Sequence, residues 1–173
     1  MRKVAFAVLA MAVLLVGCTS IECSMNNTVV SQYCFMQHCE EGNDTTIWLD
    51  RYYLTVSVNH IENGADTVYL NKQGKTTTLK LPVSYAYKND TLFFEFQDTL
   101  QSSLYNTVAI DTVCISKTND LVFEGVECNP RYHHKVLSAT TTHNLIDSII
   151  VNDYYIDNDP NKVHFYLYLH PSD

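Results

Sequence analysis

Polar and apolar residues alternate with a period of two along most of this chain. In residues 47–58, Leu54, Val56 and Val58 share one face and Thr55, Ser57 and Asn59 the other. In residues 91–96 the apolar face is Leu92, Phe94 and Phe96; in 109–116 Val113 and Ile115 point in while Thr112 and Cys114 point out. Near the C-terminal end Val163, Phe165, Leu167 and Leu169 alternate with His164, Tyr166, Tyr168 and His170. Successive side chains of a strand point to opposite faces, so each run predicts a strand with one face in a core. Residues 28–36, 67–70, 76–79, 121–123 and 143–151 are predicted to add further short strands, and 71–75 to close a hairpin between 67–70 and 76–79. Asn63-Gly64 predicts a turn, and Pro82 interrupts the ladder because it has no N–H to donate. Residues 98–106 read as a crossing loop and 127–134 as an irregular one. After Cys18 no segment carries a helical period. Seven to nine short strands predict an all-β fold, an antiparallel β-sandwich of immunoglobulin-like type, with a small β-barrel as the alternative.

The opening stretch breaks this pattern. Arg2 and Lys3 precede an unbroken apolar run of thirteen residues, Val4 to Val16. A transmembrane helix needs ~20 such residues, so the run fits the apolar region of a secretory signal. Leu15-Val16-Gly17-Cys18 then matches the bacterial lipobox, in which a diacylglycerol is placed on the cysteine and the chain is cleaved before it. The expectation is a signal peptide at 1–17, lipidation at Cys18, a tether at 18–27 and one domain at 28–173. Thr19 follows the cysteine where an Asp would favour the inner membrane, so the expected location is the outer membrane, facing the periplasm or the surface.

Export changes how charge and cysteines read. Removing Arg2 and Lys3 leaves nine basic residues against 19 acidic ones, a net charge of −10, so nucleic acid is not an expected partner. The acids are scattered singly, as on a solvated surface. Of six cysteines, lipid takes Cys18. Five remain, and an odd number leaves at least one thiol unpaired. The expected pairs are Cys23–Cys128 and Cys34–Cys39, with Cys114, on a polar strand face, as the free thiol. The spacing of Cys34, His38 and Cys39 matches no standard zinc site.

Asp followed by Thr or Ser recurs at Asp44, Asp66, Asp90, Asp98, Asp111 and Asp147. The plain reading is an Asp that ends a turn on local backbone before a Thr that opens a strand. The triplets also resemble the acceptor motif of a general O-glycosylation system of exported Bacteroidetes proteins. No nucleophile elbow, His-Glu-x-x-His or phosphate-cradling Gly-rich loop is present, so no catalytic residue, metal ligand or cofactor is assigned. The acidic turn at Asp157 and Asp159 does not have the spacing of an EF-hand. The candidate ligand-binding residues are His133, His134 and His143, with Tyr166 and Tyr168 on the outward stripe of the last strand.

Cys128-Asn-Pro-Arg-Tyr-His-His134, Thr140-Thr-Thr-His143-Asn-Leu-Ile-Asp147-Ser-Ile-Ile-Val-Asn152, Val163-His-Phe-Tyr-Leu-Tyr-Leu169 and the segment Cys23-Ser-Met-Asn-Asn-Thr-Val29 resemble a family of small uncharacterised lipoproteins of Bacteroidetes. That resemblance implies a β-rich exported domain and no known activity. The expected function is a non-enzymatic module, tethered to the membrane through Cys18, that binds a protein or glycan partner or serves the envelope structurally. The alternative is a hydrolase or metal-dependent activity near His133, His134 and His143.

Overall fold

The computed structural model describes residues 29–38, 43–60, 65–99, 107–123, 125, 128–157, 159 and 161–170, the side chains of 59, 60 and 65 excepted. Among them are eleven strands: β1 (Val30–Gln37), β2 (Thr45–Thr46), β3 (Tyr52–His60), β4 (Ala65–Gln73), β5 (Thr78–Pro82), β6 (Asn89–Asp98), β7 (Thr107–Val122), β8 (Arg131–Thr140), β9 (Ile146–Val151), β10 (Tyr155–Ile156) and β11 (Phe165–Leu169). They form two sheets, neither closed into a barrel. A six-stranded sheet runs β10-β8-β7-β6-β3-β4, and a five-stranded sheet runs β2-β1-β11-β9 with β5 also paired to β1. The fold is a β-sandwich.

The inward residues of the two sheets make one core. Leu54, Val56, Phe94, Phe96 and Val113 from the larger sheet meet Phe35, Leu81, Phe165 and Leu167 from the smaller, all fully buried. Burying each such side chain contributes about 1.5–3 kcal/mol. Tyr33 ties the layers together, stacked on Phe165 at 4.8 Å and edge-on to Phe94 at 6.0 Å. Burial pushes its phenol well above the ordinary tyrosine range.

The first and last strands lie side by side. β1 and β11 pair in parallel, Tyr33 opposite Phe165 and Met36 opposite Tyr168, so the smaller sheet is mixed where an antiparallel one was expected. This pair sets two ends for the molecule. At the upper end are the start of β1, the 83–88 segment after β5, the end of β7, the start of β8 and the end of β9. At the lower end are Gln37, β2, the start of β3 and the end of β11.

The expected hairpin across 71–75 does not form. β4 pairs with β3 in the larger sheet, and β5 pairs with β1 in the smaller. Residues 74–77 therefore carry the chain from one sheet to the other, with Lys72 and Lys75 at positive φ of 50° and 51°. Both flanking runs alternate correctly, but alternation does not name the partner strand. The expected loop at 127–134 is likewise a strand from Arg131 onward. Its inward positions include His134, while Arg131 is buried on the opposite face, and those buried polar residues concealed the period.

A second crossing, from β8 to β9, is held by one carboxylate. Asp111 lies near the start of β7, on its core face, and is fully buried. Its Oδ1 accepts from Thr142 Oγ1 at 3.0 Å and Asn144 N at 2.7 Å; its Oδ2 accepts from Leu145 N at 2.8 Å and Ile146 N at 2.9 Å. Asn144 Nδ2 adds a bond to Ile110 O at 2.7 Å. A buried charge is tolerated when strong donors surround it. Here the donors are the backbone of the crossing segment, which includes His143 at φ 62°. The Asp-Thr pair at 111–112 is thus not a local turn former: its acceptors bind residues more than thirty positions away.

Asp111→Asn is expected to cost about 3 kcal/mol, because an amide NH₂ facing the backbone N–H groups strands two buried donors. Urea denaturation reads this directly, and an unchanged midpoint would refute the clamp.

Candidate functional site

The three candidate histidines do not converge. His134 is buried on β8, and its Nδ1 donates to Asn119 Oδ1 at 2.8 Å. Asn119 Nδ2 in turn bonds Tyr85 O at 2.9 Å and Tyr87 O at 3.0 Å. Beside it Lys117, also on the core face of β7, reaches Asp90 Oδ1 at 3.0 Å and Tyr87 O at 2.7 Å. Burial, the Lys117 charge and His133 together hold His134 down at about 4, so it is neutral near pH 7. Burial pushes the Asp90 carboxyl up, and Lys117 opposes that. This network fastens the 83–88 segment to β7. His143 sits beside Asn144 at the Asp111 end of β7, with Nδ1 against Asp147 O. Eight residues of β7 separate Asp111 from Asn119, about 26 Å at ~3.3 Å per residue, so His143 is far from His134. His133 is half-buried on the other side of β8.

The stripe on β11 differs from a row of exposed rings. His164 and Tyr168 are buried, Tyr166 is half-buried and His170 is exposed. β11 lies between β1 and β9, and the His38 ring stacks over Tyr168 on this face. His164 Nδ1 accepts from Gln32 N at 3.0 Å across that junction, and burial lowers the proton affinity of the ring.

At the lower end of this face a compact polar group forms. Tyr168 donates to Asp44 Oδ2 at 2.7 Å, and His38 Nδ1 lies 3.0 Å from Asp44 Oδ1. The His38 ring stacks on Tyr168 at 4.1 Å with a 10° interplanar angle. The bonds from Tyr168 and His38 hold the Asp44 carboxyl below its usual range; burial and the nearby carboxylate push the Tyr168 phenol up to about 12. A carboxylate accepting from Nδ1–H leaves His38 Nε2 free to meet a ligand. Cys34 Sγ, Met36 Sδ and Thr46 Oγ1 adjoin within 3.6–3.9 Å of one another. The alternation Cys34, Met36, His38 along β1 was visible in the sequence; Asp44, six residues beyond His38, carried no signal of its own.

Cys34 is a free, buried thiol, which corrects its expected pairing with Cys39: it lies on the outer face of β1 against Met36 and Thr46. Cys114 is free and exposed, as expected. Cys128 is disulfide-bonded, and its partner lies outside the described residues, as do Cys18, Cys23 and Cys39. Among the described residues no three His, Cys, Asp or Glu side chains are grouped to hold a metal ion. In the acidic turn, Asp157 accepts from Asp159 N at 2.9 Å and Lys162 Nζ at 2.7 Å, so turn bonds and an ion pair engage its oxygens. Of the Asp-Thr acceptors, Thr45, Thr67 and Thr91 are exposed, while Thr99 is committed to Arg51 O.

Residues 53–169 match a family of unknown function, DUF6452. The chain belongs to this family. No curated protein and no solved structure matches it. The DUF6452 span begins inside β3 and so leaves out β1 and β2, yet β1 joins β5 to β11 in the smaller sheet. A chain limited to 53–169 would expose Phe165 and Leu167 along an unpaired edge. It is expected to lack a cooperative thermal transition by circular dichroism, whereas 28–170 is expected to show one.

His134 generates a second prediction. Its folded proton affinity is below the ordinary value, so the unfolded chain binds the proton first. Its contribution is complete above pH 6.5 and is lost as pH falls towards 4. Allowing for solvent near the ring, the loss is on the order of 2 kcal/mol. Denaturation midpoints measured from pH 7 to 4 should fall, and His134→Gln should flatten that fall while lowering stability at pH 7.

Proposed function

We propose that this DUF6452 chain is a lipoprotein of the Bacteroidetes envelope, tethered through lipid on Cys18, whose β-sandwich is a non-enzymatic binding module for a protein or glycan. The observation that carries the reading is Leu15-Val16-Gly17-Cys18 directly after a thirteen-residue apolar run with a basic start. One acyl chain binds a membrane reversibly, and two or more anchor it stably. A tethered module needs a face to offer, and the best-equipped one is the lower end of the β1/β11 face. There His38 Nε2 is open, and Asp44 and Tyr168 hold its ring flat. A flat ring with a free nitrogen suits stacking on a sugar or a planar side chain combined with one hydrogen bond. Separation of His143 from His134 weighs against the hydrolase or metal-dependent alternative.

The test is expression of the full chain in a bacterium that processes lipoproteins. The protein is expected in the membrane fraction, with an intact mass that begins at Cys18 and carries acyl chains. Cys18→Ser is expected to abolish both. Wild-type protein with an unmodified Cys18 would overturn the anchor. Glycan-array and co-purification signals should drop at least tenfold in His38→Ala; the absence of any signal from the wild type would overturn the binding role.

A further inference from the structure

The chain enters the sandwich at its upper end, and that end has a chemistry of its own. Val83 N donates to Val29 O at 3.1 Å, which places the start of β1 beside the 83–88 segment. Asn119 bonds the carbonyls of that segment, and Tyr85 stacks on Tyr132 of β8 at 5.2 Å. Cys128 lies between the end of β7 and the start of β8, so its disulfide is also at the upper end. Cys34 and Cys114 are free. His38 lies at the lower end, and the eight residues of β1 put about 26 Å between the two ends. A disulfide needs Cα atoms within about 7 Å, and one residue beyond His38 adds a reach of only about 3.8 Å, which favours Cys23 over Cys39 as the partner of Cys128. Cys23 precedes Val29 by six residues, a reach of about 20 Å.

We propose that a Cys23–Cys128 disulfide staples the lipidated tether to the upper end, and that this end docks on the lipid surface through Tyr85, Tyr87, Leu121, Phe123, Tyr154 and Tyr155. The inference rests on lipidation of Cys18. All six of these side chains are exposed. Oxidation of the two thiols releases two protons and two electrons, which a thiol–disulfide oxidoreductase of the exported compartment accepts. The staple leaves four residues between Cys18 and Cys23, a leash of five Cα steps or at most about 18 Å. β7, with its sixteen residues, is about 50 Å long, so the domain cannot turn its lower end to the bilayer. Tyrosine and phenylalanine rings suit the headgroup boundary, the former keeping their hydroxyls wet. Lys135 Nζ, 5.8 Å from the Tyr155 ring, is placed for a lipid phosphate. Asp120, Asp153 and Asp159 share this end with Lys88, Lys135 and Lys162, a mixed-charge rim that fits a zwitterionic surface and not a strongly anionic one.

Trp48, the single tryptophan, is 64% exposed at the lower end and reports on orientation. The lipidated full chain is reconstituted in phosphatidylcholine vesicles containing brominated acyl chains. Trp48 fluorescence is expected to stay within a tenth of its value in unbrominated vesicles. A Phe123→Trp variant in a Trp48→Phe background is expected to lose at least half of its emission. Equal quenching of both reporters, or none at Phe123→Trp, overturns docking. Non-reducing peptide mapping of the same protein is expected to recover a Cys23–Cys128 pair, and a Cys39–Cys128 pair overturns the staple. If intact mass shows Cys18 without lipid, the tether reading fails and docking falls with it; lipidated protein with unquenched Phe123→Trp sinks docking alone.

Discussion

A buried carboxylate on β7 governs how the two sheets of this sandwich are joined. Asp111 occupies a core-facing position where alternation calls for an apolar side chain, and it fastens the β8–β9 crossing to the strand it passes over. β9 pairs with β11, and β11 with β1, so the register of the smaller sheet descends from where this crossing is anchored. The loop backbone supplies three N–H groups and Thr142 a hydroxyl, and the carboxylate supplies both oxygens, so neither partner is satisfied without the other.

The same strand ends its core-facing row in polar residues at the other end as well. After Asp111, Val113 and Ile115 come Lys117 and Asn119, which bind the 83–88 carbonyls. β7 is therefore apolar at its middle and polar at both ends, and each polar end holds a segment that crosses between the sheets. Such pairs contribute less to net stability than to uniqueness, since removing one member strands the other in a medium that cannot solvate it.

This arrangement explains what was legible in the sequence. The period-two runs around Leu54, Phe94, Val113 and Phe165 locate strands that form, and their number and turns indicate a sandwich. Strand partners were not legible, because alternation around Leu70 and Leu79 is equally compatible with a hairpin and with two sheets. β8 was hidden for the opposite reason: His134 occupies a core-facing position where a core strand would carry an apolar side chain, and Arg131 is buried on the other face. The candidate site was half visible. Tyr168 stood out on the last strand, but its partner Asp44 is 124 positions away and reads alone as one more turn residue.

The parallel β1/β11 pair has a mechanical side. A pull applied at Val29 enters along the axis of β1, whose hydrogen bonds to β11 on one flank and to β5 on the other lie across that direction. The load then falls on many bonds at once, in shear, and they cannot break in succession as at a peeled edge. Pulled at this point the domain would resist extraction along β1, one of the two strands that its family's matched span leaves out.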